Sequence, residues 1–179
     1  QAVTRHKIGG RAKAMVVTDS RLAAVRYKLA FDAYIADKGY DDIRTLVAFS
    51  GTVQDPDAPG RSWSEEGMNG FRESELTEKF ATDDYQLLLV AEKYQTGFDE
   101  PLLHTMYVDK RLDGVQAVQT LSRLNRRAPG KEDTFVLDFY NEREDIFAAF
   151  RPYYERTDAA ETTDAQKLYE LKAKLDGAM

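Results

Sequence analysis

Short apolar segments alternate with helical segments along this chain, and this alternation restricts the fold more than any other feature. Five segments rich in branched and aliphatic residues are predicted to be strands: 14–17, 45–49, 86–90, 105–108 and 134–137. Between them lie segments with apolar residues at helical spacing, such as 21–36. The order predicts an α/β domain with an open, mainly parallel sheet flanked by helices. Ligands on such sheets bind beyond the carboxyl ends of the strands.

The rest of the chain suggests three parts. Residues 1–12 are basic and contain two adjacent glycines, and are expected to be a linker from an upstream domain. Residues 13–141 form the α/β domain, and residues 142–179 are helical in pattern and form a C-terminal helical extension. Residues 52–70 are rich in Gly, Pro, Asp and Ser, and predict a long irregular loop that Trp63 anchors to the surface.

The composition excludes several kinds of protein. Cysteine is absent, so disulfides, thiolate metal sites and cysteine nucleophiles are excluded. The two histidines are far apart in sequence, and no metal site is predicted. No apolar run has the length of a membrane span or the form of a signal peptide, which fits a cytoplasmic protein without a membrane partner. The net charge of −6 argues against an indiscriminate nucleic-acid binder, so any such contact must use a local patch.

Two arginines share one face of a predicted helix. Gln119, Ser122, Arg123 and Arg126 stand at i, i+3, i+4 and i+7, whereas aliphatic residues occupy the opposite face. Arginine forks bind planar and tetrahedral oxyanions, phosphate above all. A solvated helix face that happens to carry two arginines explains the pattern equally well when it is taken alone.

Two loops after predicted strands carry further candidates. Ser20 can cap the following helix, and the free amides there can hold an anion, although simple capping suffices. In the later loop, Thr96 offers a hydroxyl and an amide to a phosphate, and Gly97 permits close backbone approach. Phe98 is expected to point inward and Asp99 to accept from a ribose hydroxyl, although an ordinary turn explains this loop too. We expect both loops and the arginine helix at the ligand-binding edge, with the later loop beside that helix.

The chain contains neither a Gly-x-x-x-x-Gly-Lys-Ser/Thr phosphate loop nor a Gly-x-Gly-x-x-Gly motif. It therefore has arginines suited to phosphate without the loop that would hold a triphosphate. This combination predicts a nucleotide shared with a second domain, to which this chain supplies an arginine finger.

Four segments together carry a family resemblance: Lys-Ala-Met-Val-Val-Thr-Asp-Ser-Arg (13–21), Thr-Gly-Phe-Asp-Glu-Pro (96–101), Met-Tyr-Val-Asp-Lys (106–110) and Gln-Thr-Leu-Ser-Arg-Leu-Asn-Arg (119–126). In this order they resemble the second RecA-like domain of superfamily 2 helicases and translocases, and the second and fourth resemble its motifs V and VI. Their amino-acid sequences are most similar to those of the restriction (motor and nuclease) subunit of Type I restriction–modification enzymes. The resemblance extends over residues 10–154.

The resemblance implies a role in ATP hydrolysis for several of these residues. Arg126 would be the arginine finger on the γ-phosphate, and Arg123 a second contact to it or to the hinge. Gln119 would orient the attacking water or couple the nucleotide to DNA. Asp99 would hold the ribose or position the arginines, and Gly97 would also approach the nucleotide. ATP with Mg²⁺ would be held mainly by the first motor domain of the same protein.

The resemblance also implies partners. Ser20, Arg21, Thr96 and Gly97 would contact the backbone of double-stranded DNA, and modification and specificity subunits would complete the complex. The intact protein would hydrolyse ATP to pull duplex DNA and then cut it, whereas this part alone would do neither. Two alternatives remain open. One is the second lobe of an RNA or DNA helicase or remodeller, since backbone contacts do not identify the sugar. The other is a non-catalytic binding module of the same fold.

Overall fold

The fold is built on one parallel sheet. The computed structural model describes residues 7–94 and 98–158, with side chains through Tyr153. Its strands are β1 (Lys13–Thr18), β2 (Thr45–Ala48), β3 (Thr52–Gln54), β4 (Ser62–Ser64), β5 (Leu87–Val90), β6 (Leu103–Asp109) and β7 (Phe135–Asp138). Five of them form a sheet in the order β2-β5-β1-β6-β7, and every neighbouring pair is parallel. The predicted α/β class with a mainly parallel sheet is confirmed.

Helices cover both faces of this sheet. They are α1 (Arg21–Lys38), α2 (Glu65–Asn69), α3 (Leu76–Ala81), α4 (Gly114–Leu121) and α5 (Arg143–Asp158). Short 3₁₀ turns occupy Lys7–Gly10, Glu73–Glu75 and Ser122–Asn125. None of the helices within residues 7–94 and 98–158 combines the length and the apolar composition that crossing a bilayer requires.

Each face of the sheet has its own apolar core, because successive strand residues point to opposite sides. On the first face, Met15, Met106 and their neighbours pack with α3, α4 and one side of α5. On the second face, Val16 and Val47 pack with α1 and the β3–β4 hairpin. Strands buried on both faces are continuous apolar runs, which is why the strand predictions from sequence succeed for β1, β2, β5 and β6.

The helix α1 begins and ends where the sequence predicts. Ser20 Oγ accepts a hydrogen bond from Ala23 N at 3.1 Å, so the predicted cap is present. Gly39 ends the helix with a positive φ of 61°, a conformation that glycine adopts at little cost. The preceding residues 7–10 are packed rather than free of the domain, since Ile8 is buried and Lys7 pairs with Asp133 at 2.7 Å.

The prediction of an irregular loop over residues 52–70 is wrong. The segment folds into the antiparallel β3–β4 hairpin followed by α2, whose N-cap Ser64 accepts from Gly67 N at 3.1 Å. Three-residue strands and a five-residue helix are too short to show periodicity, which explains the error. The predicted anchoring by Trp63 is confirmed, since this side chain is partly buried against the second-face core.

The connection between β5 and β6 crosses from one edge of the sheet to the other, and its described residues, 91–94 and 98–102, contain no helix. Both strands are parallel to β1, so the chain must return from the carboxyl end of one to the amino end of the other. Residue Leu102 already lies beside the amino end of β1, where its carbonyl accepts from Lys13 N at 2.9 Å. On the way, Phe98 is buried and packs on Phe80, with ring centroids 6.0 Å apart. The predicted inward orientation of Phe98 is confirmed.

Candidate functional site

The predicted arginine helix stops earlier than its periodicity indicates. Regular α-helix ends at Leu121, a 3₁₀ turn continues to Asn125, and Arg126 is extended with φ −71° and ψ 133°. Pro129 lies three residues further on and disfavours helical backbone before it, so no further turn is sustained. The prediction of one shared helical face over 119–126 is therefore wrong for Arg126.

Arg126 nevertheless lies beside the segment that contains Asp99, as the sequence predicts. Its Nε is 2.9 Å from Asp99 Oδ1, and the two side chains are 51% and 67% exposed. An ion pair this open to solvent contributes little to folding, on the order of 0–1 kcal/mol. The pair therefore orients the guanidinium at the surface without removing it from solvent.

Arg123 lies deeper and is bonded to the same segment. Its Nη1 donates to the carbonyl oxygen of Phe98 at 2.8 Å. Burial lowers the pKa of Arg123, the nearby charge of Arg126 lowers it further, and Asp99 opposes both effects. Two guanidinium groups are thus held close to each other, an arrangement that an anion placed between them would stabilise.

Lys131 fixes the chain that carries these arginines. Its Nζ donates to three carbonyl oxygens, those of Leu124 at 2.8 Å, Arg126 at 2.8 Å and Pro101 at 3.1 Å. An ammonium has three protons to donate, and these three bonds match that number. Lys131 therefore joins the end of the 3₁₀ turn to the crossing segment. Lys131 directly follows a Pro-Gly pair, and nothing in this local sequence predicts the role.

Gln119 is exposed on the last turn of α4, four residues before Arg123. At the junction between α4 and the 3₁₀ turn, Ser122 Oγ donates to the carbonyl oxygen of Gln119 at 3.3 Å. The apolar side of the segment is directed inward as predicted, with Ala117 and Leu124 buried in the first-face core.

Ser20 and Arg21 lie at the carboxyl end of β1. Ser20 caps α1, and Arg21 Nη1 donates to the carbonyl oxygen of Ser50, beyond the end of β2, at 2.9 Å. Gly51 has φ +75°, and a β-carbon placed there would lie 3.4 Å from Arg21 Nη1. The exposed arginine therefore lies close to this glycine backbone.

The expectation that all these loops share one edge of the sheet is wrong. Ser20 and Arg21 follow the carboxyl end of a strand, whereas Asp99 lies on the crossing segment, one residue before a turn at the amino end of β6. The physical reason is the short return between parallel strands, which carries the chain from the carboxyl end of β5 to the amino end of β6. The predicted residues Thr96 and Gly97 lie outside the described residues, between Tyr94 and Phe98.

The structure contains an ion-pair network at the carboxyl edge of the sheet that the sequence does not predict. Lys93 Nζ lies 2.7 Å from Glu65 Oε2 and 2.6 Å from Glu73 Oε1. The same Glu65 oxygen accepts from Phe49 N at 2.9 Å. The Ser-Glu-Glu sequence after Trp63 is a helix-start signal that could have placed Glu65 on a helix, but nothing local to Lys93 indicates its partners.

Comparison with known proteins identifies one group of relatives. The sequence profile described as Type I restriction enzyme subunit R domain 3 matches residues 60–141. The "Putative type I restriction enzyme MjaVIIP endonuclease subunit" of Methanocaldococcus jannaschii is 32% identical over 136 residues, which are 70% of this chain and 13% of that protein. The HindI endonuclease subunit of Haemophilus influenzae, also a Type I restriction enzyme, is 27% identical over 103 residues, 55% of this chain and 10% of that protein.

A solved structure shares the fold of this chain. It is described as a fragment of "a putative HsdR subunit of a type I restriction enzyme from Vibrio vulnificus YJ016", and it superposes with a TM-score of 0.50 at 16% identity, covering 80% of this chain and 25% of that one. The present chain spans only 10–13% of the length of the curated relatives quoted above. The sequence profile and the sequence relatives identify one family, and the chain belongs to the R subunits of Type I restriction enzymes.

Proposed function

We propose that this chain is the second RecA-like lobe of an ATP-driven translocase of double-stranded DNA, within a Type I restriction R subunit. One observation carries the proposal. An exposed guanidinium, that of Arg126, is held by Asp99 beside a second one that is bonded to the carbonyl oxygen of Phe98. Phosphate-binding groups are thus assembled in a chain whose sequence has no loop to cradle a triphosphate.

In this proposal ATP with Mg²⁺ is held mainly by the first RecA-like lobe of the same protein, which residues 1–12 would join to residues 13–141. When the lobes close, Arg126 exchanges Asp99 for the γ-phosphate and stabilises the charge that develops during phosphoryl transfer. Arg123 supports it from the 3₁₀ turn, and Gln119 orients the attacking water. Asp99 then accepts from the ribose or keeps the arginines in place.

The DNA-contacting residues are proposed to lie elsewhere on the domain. Ser20 begins α1, whose first amides face outward as helix N-termini do, and Arg21 beside it is exposed. Such contacts bind the phosphates of the backbone without recognising the base sequence of the DNA. Thr96 and Gly97 would extend this surface, and modification and specificity subunits would supply recognition. Cleavage of DNA, the activity named for the relatives, would belong to another part of the R subunit.

The test is Arg126→Ala in the full-length R subunit, assembled with its partner subunits on DNA. We expect DNA-dependent ATP hydrolysis to fall by about 10³–10⁵-fold, which is the range for an arginine finger. ATP binding should change little, because the first lobe holds most of the nucleotide. The matched control is Arg127→Ala, which removes the next guanidinium along the chain, an exposed one.

Near-normal turnover in Arg126→Ala would contradict the proposal, as would an equal loss in both variants. Stimulation by RNA rather than by duplex DNA would favour a helicase acting on RNA. Absence of hydrolysis in the unaltered complex would favour a non-catalytic module.

A further inference from the structure

The buried network around Glu65 joins three parts of the fold at the carboxyl edge of the sheet. Glu65 begins α2, Phe49 follows β2, and Lys93 follows β5. A single carboxylate oxygen, Glu65 Oε2, accepts from both the Phe49 amide and the Lys93 ammonium, at 2.9 Å and 2.7 Å. One side chain thus fixes the ends of two neighbouring strands relative to each other.

Glu65 is held firmly in this position. It is 3% exposed, and the helix that carries it is bonded to β2 a second time by Asn69. Asn69 Oδ1 accepts from Val47 N at 3.0 Å, and its Nδ2 donates to Val47 O at 2.8 Å. The other oxygen of Glu65, Oε1, has no hydrogen-bond partner among the described residues. Burying a carboxylate with one oxygen unpaired is costly, so its retention requires an explanation.

The segment that Lys93 belongs to has unusual backbone conformations. Glu92 and Tyr94, on either side of Lys93, have φ values of 59° and 61°. Left-handed backbone at residues other than glycine costs free energy and persists only where surrounding contacts impose it. Here the Lys93 side chain supplies such contacts through Glu65 and Glu73. The ring of Tyr94 packs on that of Phe98, with centroids 5.0 Å apart, and the carbonyl oxygen of Phe98 holds Arg123.

We propose that Glu65 is a positioning residue: through Lys93 it imposes the conformation of residues 91–94, and with it the placement of the segment that holds Arg123 and Arg126. The consequence for ATP hydrolysis rests on the function proposed above, whereas the effect on the backbone does not. The inference gives α2 a part in the site through Lys93.

The first test measures the backbone. Glu65→Gln keeps the shape and the acceptor for Phe49 N but removes the charge that holds Lys93. Hydrogen exchange of the full-length R subunit should be about tenfold faster in peptides covering residues 87–94, and unchanged in those covering α1. The matched control is Glu66→Gln, the same change at the exposed neighbouring position of α2. Equal exchange in the two variants would overturn the proposal.

The second test measures turnover. In Glu65→Gln, kcat for DNA-dependent ATP hydrolysis should fall about tenfold while KM for ATP changes less than about twofold, because positioning affects the transition state more than binding. Lys93→Gln should behave in the same way, and Lys93→Arg, which keeps the charge, should restore both kcat and slow exchange. Faster exchange with unchanged kcat in Glu65→Gln would overturn the positioning role. An active Arg126→Ala variant would reject the proposed function and leave the exchange result separately interpretable.

Discussion

Glu65 and Lys93 illustrate how a buried charge depends on its partner. Burial raises the pKa of the Glu65 carboxyl, although the hydrogen bond from Lys93 opposes this. Burial likewise opposes a charge on Lys93, but hydrogen bonds to Glu65 and Glu73 outweigh it and raise the pKa of Lys93. Lys93 keeps Glu73 as a second partner, whereas Lys93 is the cation that Glu65 pairs with, so removal of Lys93 leaves the buried carboxyl group without a compensating charge.

We predict that Lys93→Met destabilises the chain by about 3 kcal/mol at pH 8, the lower end of the range for breaking a buried pair. The loss should be smaller at pH 5. Without the ammonium, the folded-state pKa of Glu65 rises further, so its contribution to stability is present below the unfolded-state pKa and is lost as the pH rises through the folded-state value. Urea unfolding at both pH values checks this. A loss that is equal at the two pH values, or larger at pH 5, would contradict it.

The sequence predicts the surroundings of some single residues and not of others. The sequence indicates that Asp99 and Arg126 belong together because both lie in recognisable motifs, and the structure places them in contact. It gives no warning that Lys13 is buried at the start of β1, where its Nζ donates to the carbonyl oxygens of Thr82 and Tyr85. A lysine in a sequence is by default a surface residue, and only tertiary contacts make it a core one.

The five-residue helix α2 protects an edge of the sheet. It covers the outer side of β2, an edge strand whose backbone groups would otherwise face solvent or another chain. Asn69 binds both backbone groups of Val47, while Glu65 binds the amide of Phe49 two residues later. Polar side chains one helical turn apart thus pair with a strand edge as another strand would.

We predict that Asn69→Ala lowers the free energy of unfolding by about 2–3 kcal/mol, because the amide and carbonyl of fully buried Val47 each lose a partner. Chemical denaturation should show a lower midpoint with an unchanged slope. Glu66→Ala, at an exposed position of the same helix, should cost less than about 0.5 kcal/mol. Similar midpoints for the two variants would show that the Asn69 bonds add nothing.

Elements differ in how well their sequence predicts them. Strands such as β1 and β5 are predictable because burial on both faces forces an apolar run. The β3–β4 hairpin and α2 are not, because their stability comes from packing of Val53 and Trp63 on the second-face core rather than from a local pattern. The end of the arginine helix is hard to predict for a related reason: apolar spacing continues to Leu124, although the regular α-helix ends at Leu121 and a 3₁₀ turn follows.

For the whole molecule, the main expectation is dependence on another lobe. We predict that the isolated 179-residue chain binds ATP with a Kd of about 1 mM or weaker, because it offers two guanidinium groups and no loop to enclose phosphates. Calorimetric titration with ATP and Mg²⁺ checks this, once circular dichroism has verified that the chain is folded. A saturable titration in the micromolar range would show that the domain holds the nucleotide unaided.

The solvent-exposed contact between Asp99 and Arg126 has a consequence for how two lobes would approach each other. While the carboxylate remains in place, it offsets the charge of Arg126, so the pair attracts an anion from a distance less strongly than a free guanidinium would. An incoming anion must compete with a tethered one, and a polyvalent phosphate does so better than a chloride or a stray carboxylate. Asp99 is therefore an intramolecular competitor for Arg126. Whether Arg126 is free to bind depends on which anion approaches.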